Sequence, residues 1–190
     1  MKGIFDAGVE AALEAALSAH DNQTRKGGVV PYISHPMHVA MMLSRLGCDA
    51  AMVQAGLLHD VVEDCEDWTV DRVRSEFGED VASLVDELTE CSGDSWESRK
   101  QAAVDKTPSM SSRAATLKAC DKLHNLSTLA LALEGSDDSE SVWKHFSRGP
   151  ESTIEKSTGL VEALSLRIDP GLASELQRAL ERLRQLAQRS

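Results

Sequence analysis

Apolar residues recur at helical spacing along most of the chain. In residues 3–20, Val9, Ala12, Leu13, Ala16 and Leu17 form one face of an α-helix. No stretch alternates apolar and polar residues as a half-buried strand does. The pattern therefore predicts an all-α fold, a compact multi-helix bundle that forms a single domain over residues 1–190. Further helices are predicted at residues 34–47, 49–64, 69–78, 80–89, 96–105, 111–131, 141–168 (broken near Gly149 and Pro150) and 170–188, with loops at 22–34 and 134–140.

Two of these helices have informative faces. The helix at residues 49–64 is apolar on nearly every face, which is typical of a helix in the middle of a domain. The last helix instead carries one apolar stripe. We expect this stripe to pack on its own domain, and the alternative is a face that binds a partner. The stripe consists of Leu172, Leu176, Leu180, Leu183 and Ala187.

Composition and charge limit the kinds of ligand that the chain is expected to bind. The formal net charge of −11 argues against a broad nucleic-acid interface, because such binding depends on Lys and Arg. A small phosphorylated ligand remains compatible with this charge, since a few local cations or a metal can hold it. No apolar run reaches the length of a membrane span. The sequence does not indicate an oligomeric state.

The cysteines indicate a reducing compartment. Cys48, Cys65, Cys91 and Cys120 are widely spaced, with no C-x-x-C pair, and there is no signal peptide. We expect small buried cysteines in a cytoplasmic protein.

A cluster of polar residues lies at the C-terminal end of the apolar helix predicted at residues 49–64. His59, Asp60, Glu63 and Asp64 follow Leu57 and Leu58. Asp60 and Asp64 share a helical face and repel each other, and the negative end of the helix dipole adds to the cost. Such a cluster inside a domain needs compensation, and a bound cation is the simplest form. A merely solvated, acidic helix end is the alternative, and it describes Glu66 and Asp67 better.

Two other segments supply further candidate ligands. His35 lies where a Gly-rich loop enters a helix, and Asp121 lies between Leu117, Leu123 and Leu126 in the middle of another. A buried Asp needs a partner. Together, His35, His59, Asp60 and Asp121 would form a mixed nitrogen and oxygen site that suits Mn²⁺, Fe²⁺, Zn²⁺ or a similar borderline metal.

These ligands occur within a series of motifs in a fixed order. They are residues 19–26 (AHDNQTRK), 31–36 (PYISHP), 57–64 (LLHDVVED), 77–78 (FG) and 121–126 (DKLHNL). The series resembles the HD phosphohydrolase superfamily, and within it the hydrolase domain of RelA/SpoT proteins and the small alarmone hydrolases.

The resemblance implies an all-α bundle that removes pyrophosphate from the ribose 3′ position of (p)ppGpp, usually with Mn²⁺. His35, His59, Asp60 and Asp121 match the metal ligands of the family. Glu63 and Asp64 match the acid pair that handles the attacking water, and which of them leads stays open. The residues expected to contact the substrate are Arg25, Lys26 and Asn125, which match family positions, and Lys118 and Lys122, whose charges would oppose the phosphates.

Two departures leave the substrate's identity open. The loop from Arg25 to His35 is one residue longer than the family's usual spacing, and residues 155–158 lack the Tyr that relatives often carry there. The alternatives are (p)ppApp, another 3′- or 2′-phosphorylated nucleotide, or a non-catalytic nucleotide-binding regulator. The remaining histidines match no ligand role and are expected to be structural or surface residues. They are His20, His38, His124 and His145.

Overall fold

A computed structural model describes residues 4–90 and 95–188. Within these residues the regular elements are helices, and the extended pairing is limited to one isolated bridge between Thr24 and Pro31. The all-α fold class is thus confirmed. The chain divides into two compact units, Met1–Ser92 and Gly93–Ser190. The prediction of a single domain over residues 1–190 stays a prediction.

The first unit is built around α3. This helix packs against α1, α2 and α6, and α5 packs on α6. Its central place agrees with its apolar sequence, because residues from every turn of α3 are buried. The helices of this unit in the described residues are α1 (Ala7–Ala19), α2 (Ser34–Arg45), α3 (Ala50–Leu58), α4 (Val61–Asp64), α5 (Val70–Phe77) and α6 (Glu79–Leu88).

Gly56 allows α2 and α3 to approach closely. A Cβ atom at this position would lie 2.6 Å from the Leu43 Cδ1 atom and 3.4 Å from the Ala40 Cα atom. A larger residue at position 56 would therefore displace the buried Leu43 side chain from its place between the two helices. The approach matters for the site, because α2 carries His35 and α3 leads into His59.

The prediction of one continuous helix at residues 49–64 is wrong, because this segment forms two helices, α3 and α4. The chain leaves α3 at His59 and turns at Asp60, whose φ and ψ angles are −98° and −9°, before α4 begins. The His59 Nδ1 atom donates to the Gly56 carbonyl at 2.9 Å. In a continuous helix that carbonyl would accept the Asp60 amide, so the side chain competes with the helical hydrogen bond.

The second unit is built around α8. This helix packs against α9, α10 and α11, and α10 also packs on α7 and α11. Ser111 caps α8 by accepting the Ala114 amide at 3.1 Å, so this helix begins within one residue of its predicted start. The helices of this unit in the described residues are α7 (Trp96–Lys106), α8 (Ser112–Glu134), α9 (Ser139–Trp143), α10 (Gly149–Ser165) and α11 (Pro170–Ala187), with a 3-10 turn at Thr107–Ser109.

The leucine stripe of α11 packs inside its own unit, as predicted. Leu172, Leu176, Leu180 and Leu183 are all buried, and α11 lies against α8 and α10. The predicted loop at residues 134–140 is too long, because α8 continues to Glu134 and α9 begins at Ser139. The Asp138 carboxylate accepts the Glu140 amide and starts α9.

The cysteine prediction is only partly correct. Cys120 is buried, whereas Cys48 and Cys65 are half-buried. Cys91 lies outside the described residues. None of the helices described has both the length and the apolar character needed to cross a bilayer.

Candidate metal centre

His35 enters the first unit's core at the start of α2. The tight turn before the helix is closed by the His35 amide, which donates to the Tyr32 carbonyl at 2.9 Å. The imidazole is only 1% exposed. A buried imidazole at this position needs a polar partner.

His59 occupies the junction of α3 and α4 and is 2% exposed. Because a carbonyl only accepts, the contact with Gly56 places the proton of the neutral ring on Nδ1. The Nε2 atom then carries a lone pair. That atom is buried and meets no hydrogen-bond partner within residues 4–90 and 95–188.

The Asp60 carboxylate faces both histidines. Its Oδ1 atom lies 3.3 Å from His59 Nε2, and its Oδ2 atom lies 3.5 Å from His35 Nε2. The metal-ligating atoms of the two histidines lie within 4.8 Å of each other. A lone pair that faces a carboxylate oxygen in a buried place is unfavourable without a cation. Two nitrogens and a carboxylate in this arrangement fit a divalent metal of borderline softness.

Asp121 lies in the second unit, midway along α8, and is 8% exposed. The Asn125 Nδ2 atom donates to its Oδ1 atom at 2.6 Å, and the Lys118 ammonium lies 3.3 Å from its Oδ2 atom. The sequence predicted that this buried Asp has partners, and it has an amide and a cation. Asn125 and Lys118 thus contact the carboxylate itself.

Lys122 is held by α10 of the same unit. Its ammonium donates to the Ser157 hydroxyl at 2.8 Å, and this hydroxyl donates to the Thr153 carbonyl at 2.6 Å. Ser157 is only 2% exposed. It lies in the segment at residues 155–158 where the sequence departs from the family pattern.

The two neighbouring acids of α4 have different partners. The Glu63 Oε1 atom accepts the backbone amide of Glu90 at 2.7 Å. The Asp64 Oδ2 atom accepts the Tyr32 hydroxyl at 3.0 Å. Burial and then the charge of Asp60 raise the pKa of Asp64 above its ordinary value. The direction of this effect agrees with the repulsion between Asp60 and Asp64 that the sequence predicts.

Tyr32 also lies at this site, although no role for it was predicted from the sequence. Its hydroxyl oxygen lies 2.7 Å from Asp60 Oδ2 and 3.0 Å from Asp64 Oδ2, so its single proton is shared between the two carboxylates. Burial, followed by the charges of Asp60 and Asp64, raises its pKa far above the ordinary value, so the hydroxyl keeps its proton. The available signal was its position: the only tyrosine of the chain lies three residues before His35.

The basic loop before His35 folds back on itself. The Arg25 amide donates to the Val30 carbonyl at 2.8 Å, and the intervening turn uses Gly27 and Gly28 at positive φ. The Arg25 Cζ atom lies 5.5 Å from the centre of the Tyr32 ring. Lys26 lies at the exposed turn. The loop thus brings Arg25 to a residue that contacts Asp60, whereas it places Lys26 toward solvent.

The remaining histidines are structural or exposed, in line with the sequence. His20 is buried, with its Nδ1 atom 2.8 Å from Gln23 Oε1, and His124 is buried in α8. His38 and His145 are exposed.

The chain resembles known proteins in sequence. The family model described as "HD domain" matches residues 12–147. The guanosine-3′,5′-bis(diphosphate) 3′-pyrophosphohydrolase MESH1 of Xenopus tropicalis is 39% identical over 121 residues, which are 62% of this chain and 67% of that protein. A probable guanosine-3′,5′-bis(diphosphate) 3′-pyrophosphohydrolase of Synechocystis is 40% identical over 120 residues. These are 60% of this chain but only 16% of that longer protein.

The chain also resembles a solved structure. That structure is a metazoan orthologue of SpoT, described as a protein that hydrolyses ppGpp. It matches with a TM-score of 0.78 and 27% identity, over 94% of this chain and 97% of the other.

Proposed function

This chain belongs to the HD-domain family, and we propose that it is a metal-dependent hydrolase that removes the 3′-pyrophosphate from (p)ppGpp-type alarmone nucleotides. The observation that carries the proposal is the convergence of the His35 and His59 nitrogens on the Asp60 carboxylate. The similarity to the Xenopus pyrophosphohydrolase and to the metazoan SpoT orthologue supports the choice of substrate class.

We propose that His35, His59, Asp60 and Asp121 hold one divalent ion, and that the ion is Mn²⁺. The buried Nε2 atom of His59 and the mixed nitrogen and oxygen donors support a metal in the first unit. Asp121 enters the set because it matches the family's last ligand motif. When bound, the ion would supply Lewis-acid chemistry that makes water a usable nucleophile near neutral pH.

In the proposed reaction, the bond between the ribose 3′ oxygen and its phosphorus breaks. The oxygen of the attacking water leaves on pyrophosphate, and the 3′ oxygen takes up a proton. Glu63 and Asp64 share the transfer of the water's proton as general bases. The Tyr32 hydroxyl keeps Asp64 near Asp60, and the Glu90 amide holds Glu63.

Five further residues would meet the charge of the substrate. Arg25 offers a planar guanidinium that can stack on a base, and Lys26 offers a compact charge to a phosphate. Lys118 and Asn125 contact Asp121, and Lys122 is held by Ser157. We propose that these side chains bind the phosphates and ribose of the nucleotide.

A second candidate is an HD hydrolase of another nucleotide, such as (p)ppApp. The observation that favours it is Ser157, a small side chain that contacts Lys122 and lies in the segment at residues 155–158, where the family resemblance leads us to expect a Tyr. A different base or sugar phosphate would then fit beside α10.

We further propose a cytoplasmic protein that binds neither nucleic acid nor membranes.

Turnover of a nucleotide panel with Mn²⁺ tests the function. The panel holds ppGpp, pppGpp, ppApp, pppApp and a 3′-monophosphorylated nucleotide, and the products are identified by ³¹P NMR. We expect pyrophosphate and a 5′-phosphorylated nucleoside from the guanine alarmones, and no turnover by His59→Ala. Faster turnover of ppApp, or release of inorganic phosphate, would favour the second candidate. Nucleotide binding without turnover would favour a regulator.

A further inference from the structure

We infer that Tyr32 is a positioning residue of the proposed active site: its hydroxyl fixes the Asp60 and Asp64 carboxylates, while its ring supports Arg25. The inference rests on the function proposed above. These four residues lie in the first unit, in the loop and turn before α2 and in the segment from α3 to α4.

The hydroxyl lies between a proposed metal ligand and a proposed general base. It is 2.7 Å from Asp60 Oδ2 and 3.0 Å from Asp64 Oδ2. The same Asp60 oxygen lies 3.5 Å from His35 Nε2. A hydroxyl has one proton to donate but reaches both acids, so it sets their spacing and the direction in which Asp60 presents its oxygens. Outer partners of this kind orient the ligands of a metal.

The ring is itself held firmly in place. The Tyr32 amide donates to the Gln23 carbonyl at 2.9 Å, and the Gln23 side-chain amide donates to the Asp64 carbonyl at 3.0 Å. The ring centre lies 4.7 Å from that of His20 and 6.1 Å from that of His35. The loop and α4 are thus tied together around one aromatic side chain, and its hydroxyl needs little reorganisation to act.

The other contact of the ring is with Arg25. The guanidinium carbon lies 5.5 Å from the ring centre, within the range of a cation–π contact. The hydroxyl and the ring therefore have separable tasks. The hydroxyl orients a proposed metal ligand and a proposed general base, and the ring positions Arg25, which is proposed to bind the substrate.

Two substitutions separate these tasks. Tyr32→Phe removes only the hydroxyl, and we expect Mn²⁺ affinity or kcat to fall by about 10- to 100-fold, the usual effect of losing an outer partner of a metal ligand. The KM value should stay near that of the wild type. Tyr32→Leu also removes the aromatic face, and we expect KM to rise by roughly 2- to 5-fold in addition. Calorimetry with Mn²⁺ alone and steady-state kinetics provide the readouts.

Ser83→Ala is the matched control for the lost hydroxyl. The Ser83 hydroxyl also donates to a carboxylate, that of Glu79 at 3.0 Å, but it does so on the surface of α6 in the same unit. We expect this variant to keep the Mn²⁺ affinity and kcat of the wild type. Thermal melting of each variant shows whether it is folded. A folded Tyr32→Phe protein with unchanged Mn²⁺ affinity and unchanged kcat overturns the inference.

A spectroscopic test needs no substitution. Because Tyr32 is the only tyrosine of the chain, 3-fluorotyrosine labelling gives one ¹⁹F signal. We expect one equivalent of Mn²⁺ to broaden this signal and Zn²⁺ to shift it. A signal that stays unchanged while calorimetry shows the ion bound overturns the inference. If the wild type hydrolyses no alarmone, the proposed function fails, but the Mn²⁺ and ¹⁹F measurements still decide the role of Tyr32.

Discussion

Glu63 and Asp64 are neighbours in the sequence, but their surroundings differ. Glu63 holds the backbone amide at the end of α6, and Asp64 shares a hydroxyl with Asp60. Asp64 is therefore linked to the proposed metal ligands, whereas the Glu63 carboxylate is held by the Glu90 amide, just beyond the end of α6. Both carboxylates can accept a proton, and their amide analogues preserve the shape of the contacts.

We predict that Glu63→Gln and Asp64→Asn each lower kcat while metal content stays at the wild-type level. Loss of a general base costs roughly 10²- to 10⁴-fold in rate. The amide oxygen of each variant can still accept the hydrogen bond of the original carboxylate. Steady-state kinetics and elemental analysis measure the two effects. Glu66→Gln is the control, because Glu66 is exposed, as Glu63 and Asp64 are, but lies outside the motif at residues 57–64. Wild-type kcat in both variants would mean that the water loses its proton elsewhere.

Arg25 and Lys26 are also adjacent residues in unlike places. Arg25 lies beside the Tyr32 ring, and Lys26 lies at the exposed turn of the loop. The geometry thus ties Arg25 to the proposed site more firmly than Lys26.

We predict that Arg25→Ala and Lys26→Ala both lower kcat/KM without removing the metal, and that the Arg25 variant loses more. A charge-assisted phosphate contact contributes about 1.5–3 kcal/mol, so its loss lowers kcat/KM by about tenfold or more. Arg45→Ala removes an exposed cation from the end of α2 and should leave kcat/KM unchanged. An effect below about twofold for both loop variants, against that tenfold expectation, would place the nucleotide elsewhere.

At the scale of elements, the helix starts predicted near residues 69 and 111 and the helix end predicted near residue 47 agree with α5, α8 and α2. The side chains of Thr69 and Ser111 cap α5 and α8, and Gly47 follows α2 at positive φ. Each of these residues acts on backbone groups only a few positions away in the chain. A short stretch of sequence is therefore enough to predict such a helix end.

The missed break between α3 and α4 has a different cause. The periodicity of residues 49–64 is helical throughout, but at the break the His59 side chain donates to the Gly56 carbonyl. Hydrophobic spacing says nothing about this competition. The site shows the same limit: residue types identified His35, His59 and Asp60, but the link through Tyr32 requires two segments 28 residues apart to meet.

The packing of α11 gives a test at this scale. Leu176 is fully buried, so Leu176→Ala should lower the free energy of unfolding by about 2–5 kcal/mol. Leu166 is 88% exposed, and Leu166→Ala should change it by less than about 0.5 kcal/mol. Urea denaturation followed by circular dichroism measures both. A neutral Leu176→Ala would revive the alternative that the α11 stripe is a partner-binding face.

At the scale of the whole molecule, charge opposes the proposed substrate. The chain has a formal net charge of −11, and the proposed nucleotide is a polyanion. Long-range attraction therefore cannot bring the two together, and binding depends on local cations and a metal. The metal then has two consequences, since it changes the local charge and it stabilises whichever state binds it.

We therefore predict that Mn²⁺ stabilises the folded protein. A free Mn²⁺ concentration of about one hundred times its Kd should raise the free energy of unfolding by about 2.7 kcal/mol, because the ion binds the folded state alone. For a chain of this length that corresponds to a rise in Tm of roughly 5–10 °C, which excess EDTA should reverse. Differential scanning calorimetry measures the shift and also shows whether the chain unfolds in one transition, as a single domain would.

Two histidine variants decide whether the stabilisation comes from the proposed site. His59→Ala removes the buried Nε2 atom that faces Asp60, so its Tm should no longer respond to Mn²⁺. His145→Ala removes an exposed imidazole that matches no ligand motif, and this variant should keep the full response. If His59→Ala kept the response and His145→Ala lost it, the ion would bind at the surface and the ligand set would be wrong. Equal loss in both would point to nonspecific binding of Mn²⁺ by this acidic chain.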